Sequence, residues 1–418
     1  MKKIVLTIVP MLALAGMAFL PSPTLAETRV VSETQVMQAA MQLSPDFQAA
    51  LREGSFEKAD AGQEGRFSNP TVELNAVRTS TAGSDENSFD LEIEQPFKLS
   101  QLTGQRARLS NALFEQAELR QQHGMLEAYW RTKMLYAQVW QYQEQAKLYA
   151  DFQKRAADVA RQVGKAVKDG QTPISEGSLF TGDAAKLSSD LENIKAQESE
   201  MRLQLAKMTG LSLTDATLEK PALPTLNRDI AYLEGQAQEN ASLVRLLETD
   251  LLAAQRQKQA AVADTGVPEI APRFIYGRNS DANEDSVGLG VVLTIPLWDQ
   301  NQSERQKANA AQLYSQRQLD ALQTLPLSER LQKIVETIDR LDKRIRILES
   351  EALPNYRKSF AQVQKSYRAG QTDAVALWQI RERLFETEQE ALKATLETVA
   401  ARRILSLETG MMPLEVTP

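Results

Sequence analysis

Two stretches of this chain are near-copies set 200 residues apart (370 − 170). Gly370-Gln371-Thr372-Asp373 repeats Gly170-Gln171-Thr172-Pro173, and two other landmarks keep the offset. Met208-Thr209-Gly210 is answered by Glu408-Thr409-Gly410, and Gln95-Pro96-Phe97 by Ile295-Pro296-Leu297. A shared offset across separate landmarks marks a duplicated unit of roughly two hundred residues. Whatever one copy builds, the chain builds twice.

Ahead of the first copy, Lys2-Lys3, an apolar run from Ile4 to Leu20 and Thr24-Leu25-Ala26 read as a secretory signal peptide over 1–26. Its removal takes two lysines from a chain of net charge −7 and leaves −9. An acidic, exported chain argues against nucleic acid as a partner. Only 6% of the 418 residues are aromatic while 25% are charged, which suits long helices that bury narrow seams. Cysteine is absent, so disulfides, Cys-type zinc sites and an acylated N-terminal cysteine are excluded. The one histidine, His123, falls in a helical stretch and reads as an ordinary helix-surface residue. No nucleophile elbow, phosphate-cradling glycine loop or metal-ligand cluster is visible. The chain reads as a non-enzyme without cofactor or metal.

The first copy, 27–220, opens with helical spacing over Glu33–Phe67: Val36, Met37, Ala40, Leu43, Phe47, Ala50, Leu51. After Asn69-Pro70 the period becomes two. Val72, Leu74 and Ala76 alternate with polar residues, a polar loop spans Thr81–Asn87, and Phe89, Leu91 and Ile93 alternate with Asp90, Glu92 and Glu94. This is a hairpin over about 70–97, ended by Pro96. A long helix over about 100–169 follows, then the Gly170 turn and a return helix over about 172–209 with Thr172 as N-cap and Pro173 at its first position. Pro221-Ala222-Leu223-Pro224 begins a linker over 221–228. The second copy, 229–410, replays the order: a helix over Asp229–Val262, a hairpin about 272–297, a long helix about 300–369 and a return helix about 372–409, with a tail over 411–418. Leu331, Ile334, Ile338, Leu341, Ile345 and Leu348 form a coiled-coil seam, and Pro354 kinks that helix or marks a join within it.

Helix lengths constrain the shape. The long helices would reach ~110 Å, the return helices ~60 Å and the helix ahead of each hairpin ~50 Å. The two shorter helices therefore stack end to end along the long one, a geometry that suits a tube. Beyond the signal no run is apolar enough for a spanning helix. The strands have the length of membrane-spanning β-strands with one apolar and one polar face, and a bilayer tolerates strands only in closed barrels. Four strands cannot close one, so the barrel is shared among subunits. The other reading of the same residues is a soluble four-stranded sheet beside a helical bundle.

Taken in order, Asn69-Pro70-Thr71-Val72-Glu73-Leu74, Glu94-Gln95-Pro96-Phe97 and Ser366-Tyr367-Arg368-Ala369-Gly370-Gln371 resemble the TolC-like outer-membrane efflux proteins over essentially all of the mature chain. The resemblance implies a mainly α fold with membrane β: long antiparallel coiled-coil helices forming a periplasmic α-barrel, and four strands per protomer in a trimeric twelve-strand outer-membrane β-barrel. It implies a homotrimer in the outer membrane of a Gram-negative cell, reaching into the periplasm to a periplasmic adaptor and an inner-membrane RND-type pump. Pro96-Phe97-Lys98-Leu99 with Gly104-Gln105-Arg106-Ala107-Arg108 resembles the outer-membrane partner of cobalt–zinc–cadmium-type pumps. The expected function is then a passive exit duct for heavy-metal cations or small toxic compounds. The outlet of a type I protein-secretion or ATP-driven exporter and a non-conducting periplasmic coiled-coil scaffold are the alternatives.

On this reading Asp169 and Asp373, at the two helix–helix turns, form acidic rings that narrow the periplasmic tip and favour cations. The plainer reading makes Gly170 and Gly370 helix-ending glycines and Asp373 a complement to a helix N-terminus. The exposed tip, with Gly170, Gln171, Thr172, Ser175, Tyr367, Arg368, Gly370, Gln371 and Thr372, is the candidate adaptor contact. Asp90, Glu92 and Glu94 are candidate lumen carboxylates, nine per trimer, and Pro96 and Pro296 mark the barrel-to-helix junction. Phe97 and Trp298, just beyond those prolines, suit a membrane–water interface.

Overall fold

The computed structural model describes residues 29–81, 84–170, 173–223, 225–279 and 282–412. The expected signal peptide, Gln171 and Thr172 lie outside the described residues. In chain order the first half comprises strand β1 (Val30–Val31), helices α1 (Glu33–Leu43) and α2 (Pro45–Glu64), strands β2 (Thr71–Thr81) and β3 (Ser84–Glu94), and helices α3 (Leu99–Leu102), α4 (Gln105–Lys168) and α5 (Ile174–Thr209). The second half comprises β4 (Thr217–Leu218), α6 (Ile230–Glu239), α7 (Leu243–Ala263), β5 (Glu269–Asn279), β6 (Glu284–Thr294), α8 (Gln302–Leu322), α9 (Leu327–Ile347), a π-turn (Leu348–Ala352), α10 (Leu353–Arg368) and α11 (Ala374–Thr409).

The long helix of each copy carries two shorter ones end to end. On α4, which runs ~96 Å, Ser110 bonds the Ala61 carbonyl, Gln121 meets Lys58 and Arg131 meets Asp46, so α2 lies antiparallel to its first half. Further along, Gln143 meets Arg202 and Gln153 meets Ser188, so α5 lies antiparallel to its second half. In the second half of the chain Lys258 reaches Gln312 from α7 to α8, and Arg330–Glu408, Arg344–Glu390 and Arg357–Glu388 line α9 and α10 against α11. Leu331, Ile338, Ile345 and Leu348 of the expected seam are buried, with Leu405 and Ala401 of α11 opposite the first two. The two copies meet along α4, where Gln116 and Arg120 bond Asp250 of α7 and Gln389 of α11 bonds the Tyr149 hydroxyl.

Several helices expected to be continuous are interrupted. Ser44 closes α1 and caps α2 with Pro45 at its first position, because a proline that lacks N–H is free of cost only where no hydrogen bond is owed. Ser242 likewise separates α6 from α7, its hydroxyl accepting the Arg245 amide. Thr103 and Gly104 separate α3 from α4, Gly104 adopting a left-handed conformation (φ 71°). The second long helix breaks at Pro326, where the Arg330 guanidinium donates to the freed carbonyls of Leu322 and Leu325. At Pro354 it does not break. The π-turn over Leu348–Ala352 widens the helix just ahead of the ring, relieving the clash a proline makes with the preceding turn. The expected helix-surface histidine is also corrected: His123 is 9% exposed, its Nδ1 lying 3.0 Å from the Ala241 carbonyl in the α6–α7 connection.

Gly410 ends α11 with φ 67°, and a Cβ there would sit 2.6 Å from the Ser242 amide nitrogen. Gly370 has the same backbone conformation with open space around it. Gly370→Ala is expected to cost ~1–2 kcal/mol, the left-handed penalty alone. Gly410→Ala should cost more because it adds an overlap with backbone. Paired thermal melts check the order of the two.

Candidate functional site

The hairpins join into one antiparallel sheet, ordered β2-β3-β5-β6. Each strand has 11 residues. Residues 84–87, expected in a loop, continue β3, with Asn87 opposite Arg78 and Glu86 opposite Thr79. The second hairpin starts earlier than expected, at Glu269, so Pro272 lies inside β5. Its carbonyl accepts the Gln95 amide from the β3 side, so its missing N–H also points away from the β5–β6 ladder and costs that ladder nothing.

The register sorts the residues by face. Val72, Leu74 and Ala76 lie opposite Ile93, Leu91 and Phe89; these lie beside Phe274, Tyr276 and Arg278, and Phe274 and Tyr276 oppose Leu289 and Val287. That apolar face is exposed, Leu289 to 87%. The other face carries Glu73, Asn75, Asp90, Glu92 and Glu94, then Arg273 and Gly277, then Ser286, Gly288 and Gly290. The three candidate lumen carboxylates therefore share the polar face, but not as bare charges. Arg273 reaches Glu92 at 2.9 Å and Glu94 at 2.7 Å. The sequence reading missed this arginine, although its place in a strand facing an acidic alternation was available as a signal. A Cβ on Gly277 would lie 2.7 Å from the Asp90 carboxylate, so glycine there makes room for that side chain. The outer strands, β2 and β6, are each paired on one side only.

Below the sheet the chain turns into the helices. Phe97 pairs in both directions with Ile270 and meets the Phe67 ring edge-on at 5.6 Å. Trp298, beyond Pro296, is 87% exposed. Between them Arg106, on the first turn of α4, bonds Glu64 (2.7 Å) at the end of α2, Asp264 (3.1 Å) just past α7 and Glu304 (3.5 Å) on the first turn of α8. Asp264 also accepts from the Ser100 amide and hydroxyl. Burial by itself would lower the Arg106 pKa; the bonds and charges of Glu64, Glu304 and Asp264 reverse this and raise it, so the guanidinium stays charged. Arg106 lay in a stretch noted for its resemblance, without a role; the structure makes it the knot between the two copies where sheet meets helices.

The opposite end carries the two turns. Gly370 (φ 69°) closes α10 in a Schellman motif, its amide bonding the Tyr367 carbonyl and that of Gln371 the Ser366 carbonyl. Gly170 (φ 71°) bonds Val167 in the same way. Asp373 caps α11, its carboxylate accepting the Ala376 amide at 2.8 Å, while Asp169 is the exposed cap residue that ends α4. Helix α5 begins at Ile174, one residue later than expected, with Pro173 before it. Gly170, Ser175, Arg368, Gly370 and Gln371 are exposed, and Tyr367 and Thr372 half-buried. Among the described residues no helix is long and apolar enough to cross a membrane, and no cluster of side chains is arranged to hold a metal ion.

Comparison with solved structures places this architecture. The outer membrane protein VceC of Vibrio cholerae superposes with a TM-score of 0.71 at 15% identity, covering 90% of this chain and 95% of that one. CusC, whose structures are described with transmembrane channel formation, gives 0.69 at 15% over 94% and 95%. The CmeC outer membrane channel of Campylobacter jejuni gives 0.70 at 12% over 90% and 86%. A search of curated proteins gives no match by sequence. Residues 233–410, nearly all of the second copy, match the outer membrane efflux protein family. The second half of the chain thus matches the outer membrane efflux protein family in sequence, and over its described length the chain has the fold of the TolC-like outer-membrane channels.

Proposed function

We propose that this chain is one protomer of a homotrimeric exit duct in the outer membrane, conducting passively what an inner-membrane pump delivers. The observation that carries this is the open sheet: four strands with both edges unpaired and an exposed apolar face. In hydrocarbon every backbone amide and carbonyl needs a partner, so β2 of one copy pairing with β6 of the next supplies what neither has alone. Three copies give twelve strands, a number within the range of known barrels. The polar face then lines water, with Glu73, Asp90, Glu92 and Glu94 against the single Arg273, which favours cations. This excess and the resemblance of the Pro96–Arg108 stretch support heavy-metal cations or small toxic compounds as cargo and an RND-type pump as the driver. The exposed turns at the far end are the adaptor contact.

Purified protein in planar bilayers is expected to show discrete, cation-preferring conductance, and to fractionate with sarkosyl-resistant outer membrane. A soluble, non-conducting product would sink the reading. Asp373 separates gate from cap. Asn also caps helices, so Asp373→Asn keeps the fold but removes the charge, whereas Asp373→Ala costs ~0.5–2 kcal/mol of helix stability. If the aspartate ring acts on ions, both variants shift conductance or ion preference. If it only caps α11, Asp373→Asn conducts as the wild type does.

A further inference from the structure

The tip holds a feature that conduction does not use. A cleft of about 410 Å³ opens between the end of α4 and the α10–α11 pair. Arg381 of α11 lines it and is 8% exposed. Lys165 of α4 and Tyr367 and Arg368 of α10 stand at its rim. Two other arginines in the wall are engaged: Arg155 with Asp151 and the Phe360 ring, and Arg161 with Asp158, which takes up the one carboxylate in the lining. Among the described residues no ion pair or side-chain hydrogen bond holds Arg381, Lys165 or Arg368. Asp183 and Glu382 act on Arg381 through space without reaching ion-pair distance. Burial draws the Arg381 pKa below its ordinary value despite them. The nearest acceptor of the chain, the buried and unbonded Oδ2 of Asp183, lies outside the cleft lining and makes no bond to Arg381. This costly buried guanidinium and the donors beside it therefore face a cleft in which no carboxylate of the chain bonds them.

We propose that this cleft is an oxyanion site, taking a phosphate or carboxylate group on the Arg381 guanidinium. The planar fork of arginine matches two oxygens of such a group at once, and Lys165 adds a point charge that a third oxygen can face. Arg368 and the Tyr367 hydroxyl close the rim with further donors. The occupied site ties α4 of the first copy to α10 and α11 of the second, so the anion joins the two coils at the tip. This inference does not depend on the channel reading, since it concerns binding to the protomer.

The test is calorimetric titration of the full-length protein in detergent at constant ionic strength, with sodium phosphate and, separately, with a capped glutamyl dipeptide. Saturable binding of either probe is expected. Arg381→Gln and Lys165→Gln should each weaken it by about tenfold or more, the loss of one charge-assisted hydrogen bond. Lys186→Gln, an exposed change on α5, should leave it unaltered. Phosphate binding more tightly than the dipeptide points to a free solute anion, and the reverse order to an acidic protein segment; both support the site. Lys165 lies on the surface, so Lys165→Gln remains informative if Arg381→Gln fails to fold. Absence of saturable binding by both probes overturns the proposal. So does equal destabilisation by Arg381→Gln and Asp183→Asn with no response to anions, which would make Asp183 the built-in counter-ion.

Discussion

Leu289→Arg is expected to abolish assembly in the membrane while leaving the helical part folded. Leu289 sits in the middle of β6, opposite Phe274, on the exposed apolar face of the sheet. An arginine near the midplane of a bilayer-embedded barrel costs ~2–4 kcal/mol, and the proposed trimer would bear that cost at three places. Wild-type protein on unboiled gels is expected to run as an oligomer that the variant lacks, and the variant should be lost from the outer-membrane fraction. Asn75→Arg supplies the control. It places the same charge on the polar face, beside Glu73, and should leave assembly intact. Equal loss in both variants would contradict the assignment of faces.

Arg106→Leu is expected to cost ~3–5 kcal/mol, the range for removing one partner from a buried ionic cluster. The side chains of Arg106 and Asp264 are each 11% exposed, so Asp264 would be left nearly desolvated with only Ser100 to bond it. Lysine cannot span Glu64, Asp264 and Glu304 from one flexible ammonium, so Arg106→Lys should recover only part of the loss. Urea unfolding of the purified protein reads both values. A change within about 1 kcal/mol, typical of a surface pair, would remove Arg106 from its role as the tie between the copies.

Much of this was written locally. The alternation in β2 and β3 shows which side chains share a face, because side-chain direction in a strand has period two whatever surrounds it. The α9 seam and the helix-ending glycines followed from spacing and from backbone geometry that only glycine adopts at no penalty. Some local signals were passed over. Ser44-Pro45 is a cap followed by a first-turn proline, and Pro326 cannot continue a helix, yet strong apolar periodicity on both sides hid the breaks. The residues 84–87 are polar and look like a loop. They continue the strand because the far end of a hairpin can stand in water while its backbone ladder persists.

Other features depended on residues far apart in the chain. Arg273 and Glu94 are 179 positions apart and Arg106 and Asp264 158, so the residue types were legible but the pairing within each was set by strand register and helix packing. His123 is buried by a connection 118 residues away, and Arg381 is enclosed by helices from both copies. The sequence by itself determined the duplicated order of helices and hairpins and the two faces of the sheet, since both rest on backbone periodicity. Only the tertiary structure decided which charges are neutralised, which are left unpaired and where the copies are tied, because a charge is set by whichever neighbours the fold brings within a few ångströms.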